Sequence, residues 1–345
     1  MSNKVLRTSL TRLLNGDDLT RLESSELLQA LLAEDATDAQ IAATLVSLSA
    51  KGETVDELAG MAEALRARAE RVNSCQSVFV DTAGTGSSRA KTFNVSTAAA
   101  FVIAGAGLAV AKHGNRAASS NSGSADVLAA LGVNVSTLPS VAESCLNDIG
   151  ICFMFAPLYH SATARVASIR RELGVHTTFN LLGPLCNPAG ARRQIIGVWR
   201  RDLVERLAHV LAALGTERAW VVHGEDGLDE VTLAGKTYVA EVSENKVRTF
   251  ELAPADFGLT ARTLAGVRGG DAVVNAAIIL DVLENKRRDE ARDLIVANAA
   301  GALFVGGKAE TLMEAASRAE TSIESGAAQM KLQQLIEATN RKPQT

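Results

Sequence analysis

Two neighbouring stretches decide the fold, Ser77-Val-Phe-Val-Asp-Thr-Ala-Gly-Thr-Gly86 and Leu108-Ala-Val-Ala-Lys-His-Gly-Asn-Arg116. Each opens with a short apolar run and ends in glycine and polar residues, which is typical of a strand that enters a loop. The segment between them, from Val95 to Ala106, is predicted to be a helix, and a further helix is predicted from Ser124 to Leu131. Strands that alternate with helices predict a parallel sheet.

The same alternation continues along the chain. Further apolar strands are predicted at Cys152–Phe155, Gln194–Trp199 and Arg218–His223, each followed by a loop with polar or charged residues. The segment from Glu230 to Val247 predicts antiparallel edge strands. We therefore expect an α/β fold with a mainly parallel central sheet flanked by helices, whose functional loops lie at the carboxyl ends of the strands.

The chain divides into two predicted domains. From about Leu6 to Arg71 the apolar residues recur at helical spacing, with cap-like Ser24-Ser-Glu26 and Thr37-Asp-Ala-Gln40 at predicted helix starts. We expect a small helical domain over residues 1–73, which helices from about residue 165 to 190 could complete, and an α/β domain over residues 74–345. The region from Ala276 to Leu335 predicts Ala-rich helices of that second domain.

Composition limits the partners. Of 345 residues, 47% are hydrophobic and 21% charged, with a formal net charge of −4, so the chain can bury a large core but has no bulk attraction for nucleic acid or an anionic membrane. The first residues lack the apolar core of a signal peptide, and no run of about 18 apolar residues occurs. We expect a cytoplasmic protein that binds neither nucleic acid nor membrane, and any phosphate ligand must be held by local groups.

The four cysteines, Cys75, Cys145, Cys152 and Cys186, have no paired spacing and no companion histidines. This pattern argues against a zinc site and a disulfide framework. We expect all four to be reduced and buried.

The first candidate motif is Gly84-Thr-Gly86 with Asn94-Val-Ser-Thr97. Glycine lets backbone N–H groups approach an anion closely, and Asn, Ser and Thr converge where a helix is predicted to begin. Gly-rich turns after strands are common, and the dinucleotide pattern G-x-G-x-x-G is absent because Arg89 stands in place of the third glycine. An ordinary N-cap is the alternative interpretation, although it needs only one such residue.

The second motif is Lys112-His-Gly-Asn-Arg116. Lys112 and Arg116 could neutralise phosphates, while His113 and Asn115 offer directional hydrogen bonds to a second, polar molecule. A structural role for His113 stays open. A hydroxyl-rich loop with Ser119, Ser120 and Ser124 follows and leads to the next predicted helix.

Two further segments carry charge that suits small ligands. The loop Asp226-Gly-Leu-Asp-Glu230 places carboxylates after a strand, which suits Mg²⁺ bound together with a phosphate ester, although acidic surface loops are common. A predicted helix carries Arg165, Arg170 and Arg171, of which an inward-facing arginine would pair with a carboxylate. Solvated helix cations are the alternative for these arginines.

Together these segments resemble the anthranilate phosphoribosyltransferase family nearly end to end. The resemblance also includes Leu14-Asn-Gly-Asp-Asp-Leu19, Ala50-Lys-Gly-Glu-Thr54, Phe155-Ala-Pro-Leu-Tyr-His160, and Arg171-Glu-Leu-Gly174 with Phe179-Asn-Leu-Leu-Gly-Pro-Leu-Cys-Asn-Pro188. It implies a homodimeric pentosyltransferase that binds phosphoribosyl pyrophosphate (PRPP) with Mg²⁺, two ions per site, between its domains. The implied reaction transfers the phosphoribosyl group to the amine of anthranilate, the second step of tryptophan biosynthesis from chorismate.

The resemblance also implies roles residue by residue. Lys112 and His113 would be catalytic, Gly84, Asn115 and Arg170 would contact anthranilate, and Ser96, Asp229 and Glu230 would bind the metal. The residues it assigns to PRPP are Gly84, Ser87, Ser88, Thr92, Asn94, Val95, Ser96, Thr97, Lys112, His113, Gly114, Asn115, Arg116, Ala117, Ala118, Ser119, Ser120 and Ser124.

One departure from the family concerns the first loop. The usual GTGGDG is replaced by GTG followed by Ser87-Ser-Arg-Ala-Lys91, so that Ser88 stands where the family has Asp. Arg89 and Lys91 add positive charge at this place, which suggests that cations replace glycine amides in holding the pyrophosphate.

Two alternatives from other classes remain. A pyrimidine-nucleoside phosphorylase of the same fold would use phosphate and a nucleoside, and a non-catalytic relative would bind nucleic acid. The acidic net charge and the intact KHGNR and acidic-loop motifs favour the transferase.

Overall fold

The computed structural model describes residues 3–86, 92–117 and 122–341, which form fifteen α-helices and seven β-strands. The strands are β1 (Phe79–Gly84), β2 (Ala109–Gly114), β3 (Ile151–Phe155), β4 (Arg193–Gly197), β5 (Arg218–Gly224), β6 (Thr237–Ser243) and β7 (Lys246–Leu252). The first helices are α1 (Lys4–Leu14), α2 (Arg21–Leu31), α3 (Asp38–Lys51), α4 (Val55–Ala67), α5 (Val95–Gly105), α6 (Ser124–Ala130), α7 (Pro139–Ser144) and α8 (Ala156–Tyr159). The others are α9 (Ala164–Leu173), α10 (Thr178–Leu185), α11 (Asp202–Ala213), α12 (Ala272–Leu283), α13 (Glu290–Val305), α14 (Leu312–Glu324) and α15 (Ala327–Asn340).

The seven strands form one sheet in the order β3-β2-β1-β4-β5-β6-β7. The five strands from β3 to β5 in this order are parallel, and β6 and β7 add to the edge as an antiparallel pair. The register places Gly84 of β1 opposite Gly197 of β4, so these two strands end at the same level. The predicted α/β class with a mainly parallel sheet flanked by helices is confirmed.

The edge hairpin lies further along the chain than predicted. Its strands are β6 and β7, joined at Glu244 and Asn245, whose φ angles are 52° and 60°. Two consecutive left-handed residues form the kind of tight turn that matches the twist of paired strands. The segment from Glu230 to Lys236 is a loop, in which the backbone N–H of Thr232 donates to Thr237 Oγ1 at 3.0 Å, so the prediction of strand there was wrong.

The N-terminal helices begin at threonine caps. Thr37 caps α3 as predicted, and the side chain of Gln40 completes the capping box. Ser24 lies inside α2, which begins instead after the capping box of Thr20 and Glu23. The prediction of a cap at Ser24 was therefore wrong, because a single sequence gives two overlapping cap-like patterns four residues apart.

Two hydrophobic cores lie on opposite faces of the sheet. One joins α1–α4 with α9, α10 and α11 and with the face of β4, β5 and β6 that bears Ile196, Val221 and Val242. The other joins α5 and α13 with the opposite face, where Trp220 and Val222 are buried. The division of the chain at residues 73 and 74 stays a prediction.

The cysteines depart from the prediction at one position. All four are free, and Cys145, Cys152 and Cys186 are buried, but Cys75 is exposed. Cys75 lies in the irregular segment between α4 and β1, where its backbone N–H donates to the side chain of Asn147 at 2.9 Å. In the part of the chain that the structure describes, none of the helices has the length and apolar character needed to cross a membrane.

Candidate active site

The predicted site residues gather where the parallel strands end. Lys112 and His113 are the last residues of β2 before Gly114, Gly84 closes β1, and the acidic loop follows β5. Ser96 lies in the first turn of α5, the helix that follows β1. Carboxyl ends of parallel strands form the crevice in which α/β proteins bind ligands, because the loops there converge from several strands.

Lys112 is buried, with only 4% of its surface exposed. Its ammonium donates to the carbonyl oxygen of Thr82 and to Ser96 Oγ, the latter at 3.3 Å. Burial lowers the pKa of Lys112, and the carboxylates of Asp81 and Glu230 oppose that shift. The side chain therefore reaches from the end of β2 to the start of α5.

Asp81 holds the end of β2 through hydrogen bonds to neighbouring segments of the chain. The sequence analysis assigned it no role. Its carboxylate accepts hydrogen bonds from the backbone N–H of His113 at 3.2 Å and from Asn187 Nδ2 at 2.8 Å. Asn187 Nδ2 also donates to the carbonyl of Ala111 at 2.8 Å. Complete burial raises the pKa of Asp81 to about 6, against the opposing effect of Lys112. In the sequence, Asp81 and Asn187 each stand out only as a polar residue within an apolar segment.

The His113 ring is buried against His160, with 5.2 Å between ring centroids and an edge-to-face arrangement. Burial, together with the proximity of His160, lowers the pKa of His113 to about 3. The imidazole is therefore neutral at pH 7, and its buried Nε2 has no hydrogen-bond partner among the described residues. His113 can exchange a hydrogen bond with a ligand but does not supply a positive charge.

The loop after β1 begins with a fixed turn. Thr85 donates to the carbonyl of Gly197 from its backbone N–H at 2.9 Å and from its hydroxyl at 3.1 Å. Gly86 has φ of +68°, a left-handed conformation that favours glycine. The predicted PRPP residues Ser87 and Ser88 lie outside the described residues, as do Ala118, Ser119 and Ser120 of the second loop.

The segment before α5 is hydrogen-bonded to α12, which is distant in sequence. Thr92 forms a β-bridge with Arg268, and the Asn94 side chain donates to the Ser122 carbonyl at 3.2 Å and accepts from Asn275 Nδ2 at 3.1 Å. Asn94 makes no side-chain cap to α5, so the ordinary N-cap interpretation does not hold for it. Within the described residues, the buried Thr97 hydroxyl has no partner. Asn275 belongs to none of the sequence motifs and was not predicted as a site residue.

The second loop is folded onto the start of α6. The carbonyl of Asn115 accepts from Ser124 Oγ at 3.3 Å, and a Cβ at Gly114 would lie 2.2 Å from that hydroxyl. Arg116 is exposed and pairs with Asp126 at 3.0 Å, while Asp126 also accepts from the backbone N–H of Ala117 at 3.0 Å. The positive charge of Arg116 is thus already opposed by a carboxylate in this conformation.

The acidic loop contains two kinds of carboxylate. Asp226 shapes the loop, since it accepts from the backbone of Leu228 at 3.3 Å and from the Thr232 hydroxyl at 3.0 Å. Glu230 instead lies at the start of α5, where its Oε1 accepts from the backbone N–H of Ser96 at 3.2 Å. Burial and the neighbouring Asp229 raise the pKa of Glu230 to about 8, and the ammonium of Lys112 opposes that shift.

Asp229 is held against two strand ends. A Cβ on Gly197 would lie 1.6 Å from the Asp229 carbonyl oxygen, so only glycine fits there. Asp229 Oδ2 is 3.3 Å from the position of a Cβ on Gly84, which places this carboxylate beside the end of β1. Over the described residues, no group of three or more His, Cys, Asp or Glu side chains suited to a metal is found. The available donors here are two carboxylates and the Ser96 hydroxyl.

The three arginines of α9 have different surroundings. Arg165 is exposed and pairs with Asp38 at 2.7 Å, and Arg171 is exposed. Arg170 is half-buried, donates to Asn180 Oδ1 at 3.1 Å and has its Nε without a partner among the described residues. Burial lowers the pKa of Arg170. Arg170 is therefore the arginine of this helix with an unused donor in a buried environment.

Known proteins that resemble this chain match it over almost its whole length. Residues 7–69 match the family described as the glycosyl transferase family, helical bundle domain, and residues 76–329 match the glycosyl transferase family, a/b domain. An anthranilate phosphoribosyltransferase of Anaeromyxobacter dehalogenans is 52% identical over 97% of this chain and 99% of its own length.

Two solved structures are also similar. The Thermus thermophilus anthranilate phosphoribosyltransferase has 37% identity and a TM-score of 0.91, covering 96% of this chain and 99% of that one. The Saccharomyces cerevisiae enzyme in complex with PRPP and Mg has 30% identity and a TM-score of 0.89, covering 98% of both chains. With this identity sustained over nearly its full length, the chain belongs to the anthranilate phosphoribosyltransferase family.

Proposed function

We propose that this chain is a pentosyltransferase that transfers the phosphoribosyl group of PRPP to the amine of anthranilate. The products are N-(5-phosphoribosyl)anthranilate and pyrophosphate, and the reaction is the second step of tryptophan biosynthesis. The observation that carries the proposal is the convergence of Lys112, Ser96 and Glu230 at the ends of β2 and β5 and the start of α5. Sequence identity to enzymes with this activity supports it.

The buried cation stabilises the leaving group. Negative charge develops on pyrophosphate as the bond to the anomeric carbon breaks, and the Lys112 ammonium is fixed in a dry environment before the reaction. A preorganised charge in such an environment stabilises the transition state more than the same charge in water. The first-turn N–H groups of α5 add the positive end of the helix dipole.

The nucleophile needs no general base. The aromatic amine of anthranilate is neutral at pH 7, so it attacks without prior loss of a proton and releases one proton to pyrophosphate or water once the C–N bond has formed. Catalysis therefore comes mainly from holding two substrates in line. The neutral ring of His113 suits this role, since its unpartnered Nε2 is available to the substrates. We assign His113 and Asn115 to hydrogen bonding and not to proton abstraction.

The acceptor site is assigned to Arg170 with Gly84 and Asn115. A guanidinium binds a carboxylate through paired N–H groups, and Arg170 keeps one such group unused. Gly84 lies at the end of β1, and Asn115 is exposed after β2. The residues assigned to PRPP within the described part of the chain are Gly84, Thr92, Asn94, Val95, Ser96, Thr97, Lys112, His113, Gly114, Asn115, Arg116, Ala117 and Ser124.

The donor set fits Mg²⁺. Asp229, Glu230 and the Ser96 hydroxyl are hard oxygen ligands, and burial beside Asp229 raises the pKa of Glu230, an effect that a bound cation would oppose. When bound, Mg²⁺ would neutralise charge on the diphosphate of the substrate. The yeast relative was solved with Mg and PRPP, which supports magnesium use, and we propose two ions per site.

A homodimer in the cytoplasm is also proposed. Apolar side chains of the helical bundle are exposed, notably Leu14 at 71% and Leu22 at 70%, which suits a surface that a second copy covers. The chain is proposed to divide into a helical domain, 1–73 completed by α9 and α10, and an α/β domain, 74–345.

Product analysis by mass spectrometry tests the reaction. The purified protein is incubated with PRPP, anthranilate and Mg²⁺, and in parallel with phosphate and uridine or thymidine. We expect phosphoribosylanthranilate and pyrophosphate in the first reaction. Free pyrimidine base and ribose 1-phosphate in the second reaction, with no product in the first, would identify a nucleoside phosphorylase instead.

A further inference from the structure

A cavity of about 210 Å³ is lined by none of the residues assigned above to PRPP, anthranilate or Mg²⁺. Its walls come from the link between α3 and α4, the start of α10, the loop after β4 and the first half of α11. The cavity thus lies where the helical bundle meets the sheet.

One wall carries a buried carboxylate without a cation. Glu53 is 7% exposed, and one of its oxygens accepts from the Thr178 hydroxyl at 2.6 Å. The nearby ammonium of Lys51 is already paired with Asp18 at 2.6 Å and Glu57 at 3.0 Å. Across the described ranges, Glu53 has no ion-pair partner within 4.0 Å. A buried charge of this kind is costly unless something pairs with it.

The facing wall carries a cation that has no close ion pair among the described residues, although its charge contributes to lowering the pKa of Asp202. Arg206 is half-buried on α11 and, within the residues that the structure describes, makes neither a hydrogen bond nor an ion pair. A Cβ on Gly52 would lie 3.9 Å from Arg206 Nη1, so the guanidinium is beside the residue that precedes Glu53. The other arginine of the cavity, Arg200, is bound by both oxygens of Asp202 at 2.9 and 2.6 Å.

The remaining lining is apolar and aromatic. Leu181 and Leu203 are buried, and Trp199 stacks on His176 with 4.6 Å between ring centroids. Partial burial and the proximity of Arg200 and Arg170 lower the pKa of His176, so this ring is neutral at pH 7. The Thr177 hydroxyl is buried, with 2% of the residue exposed, and has no partner among the described residues.

We propose that this cavity binds a free α-amino acid with an apolar side chain. Its carboxylate pairs with Arg206, its ammonium pairs with Glu53, and its side chain packs against the leucines and Trp199. A simple anion would leave Glu53 unpaired and a simple cation would leave Arg206 unpaired, whereas a zwitterion satisfies both. The cavity is smaller than the roughly 300–1,000 Å³ of drug-sized sites, which suits a ligand of this size.

Titration with L-phenylalanine tests the proposal, with 3-phenylpropanoate and 2-phenylethylamine as analogues that each lack one charge. Binding is followed by calorimetry and by tryptophan fluorescence, since Trp199 lines the cavity and Trp220, the other tryptophan, is buried in the sheet. We expect saturable binding of L-phenylalanine to one site, and binding of each analogue weaker by about tenfold or more. Absence of saturable binding, or equal affinity for the analogues, would overturn the proposal.

Variants assign the binding to this cavity. Arg206→Gln and Glu53→Gln should each weaken L-phenylalanine binding about tenfold or more, and Arg206→Lys should restore part of the loss. Glu53→Gln keeps an oxygen to accept from Thr178, so the local fold is retained. Arg171→Gln removes an exposed arginine elsewhere and should leave binding unchanged. Binding lost in Arg170→Ala but retained in Arg206→Gln would place it in the acceptor site and overturn the proposal.

Discussion

The ammonium of Lys112 lies 3.3 Å from the side-chain oxygen of Ser96, and this contact joins the end of β2 to the first turn of α5. The backbone N–H of the same Ser96 donates to Glu230 at 3.2 Å. Ser96 therefore lies between the ammonium of Lys112 and the buried carboxyl group of Glu230. A diphosphate with its metal ion would meet the cation on one side of Ser96 and the carboxylates on the other.

Arg170→Ala should mainly weaken anthranilate binding. The substitution removes the half-buried guanidinium proposed to hold the acceptor carboxylate, and a hydrogen bond to a charged group contributes about 1.5–3 kcal/mol. We expect the KM for anthranilate to rise by roughly tenfold to a hundredfold, with a much smaller change in the KM for PRPP. Steady-state kinetics measures both, with Arg171→Ala on the exposed side of α9 as the control. An unchanged KM for anthranilate removes Arg170 from the acceptor site.

The double substitution Asp229→Asn and Glu230→Gln should lower activity at limiting Mg²⁺. Amide groups lack the charge that holds a hard cation, so the Mg²⁺ concentration that gives half-maximal rate should rise by an order of magnitude or more, at about 1.4 kcal/mol per factor of ten. Glu225→Gln is the matched control, because this exposed residue lies in the same loop and its amide oxygen still accepts from Lys236. Equal activity at every Mg²⁺ concentration is incompatible with the metal assignment.

Gly197→Ala should disrupt the site because the added methyl group clashes with the acidic loop. The new methyl group would lie 1.6 Å from the Asp229 carbonyl oxygen, so the acidic loop must move away from the end of β4. We expect the free energy of unfolding to fall by about 1–3 kcal/mol, as for overpacked cores, and activity to fall with it. Denaturant unfolding measures the first effect. Gly183→Ala is the control for stability, since no heavy atom lies within 4 Å of its Cβ position, and equal stability of the two variants would contradict the assigned contact.

Asp81 should make stability depend on pH. Burial raises the pKa of Asp81 to about 6, above the ordinary value near 3.8, so the folded state binds this proton more tightly than the unfolded state. Its contribution is therefore fully present below about pH 4 and is lost as pH rises through 6. The free energy of unfolding of the wild type, relative to Asp81→Asn, should be larger at pH 4 than at pH 7 by about 2–3 kcal/mol. A difference that is independent of pH, or larger at pH 7, contradicts the buried environment.

The apolar runs predicted most of the sheet because buried parallel strands carry continuous hydrophobic segments. The hairpin was misplaced because its turn, Glu244-Asn245, lacks the glycine that usually marks left-handed turn residues. Within the site, motif residues such as Lys112 and Ser96 were predicted because they follow strands or begin helices. Asp81, Asn187 and Asn275 were not, because their roles arise from partners far away in sequence, such as the contact of Asn275 with Asn94.

The most direct measurement is the loss of anthranilate fluorescence on addition of PRPP, followed with pyrophosphate release in a Mg²⁺ titration of the wild type and Lys112→Met. The wild type should consume anthranilate in a metal-dependent reaction, releasing one pyrophosphate per anthranilate. Lys112→Met should lower kcat by about 10²–10³, the effect of removing one preorganised transition-state contact, while Lys308→Met at an exposed site should not. No consumption of anthranilate by the wild type at any Mg²⁺ concentration, or an unchanged kcat in Lys112→Met, would contradict the account.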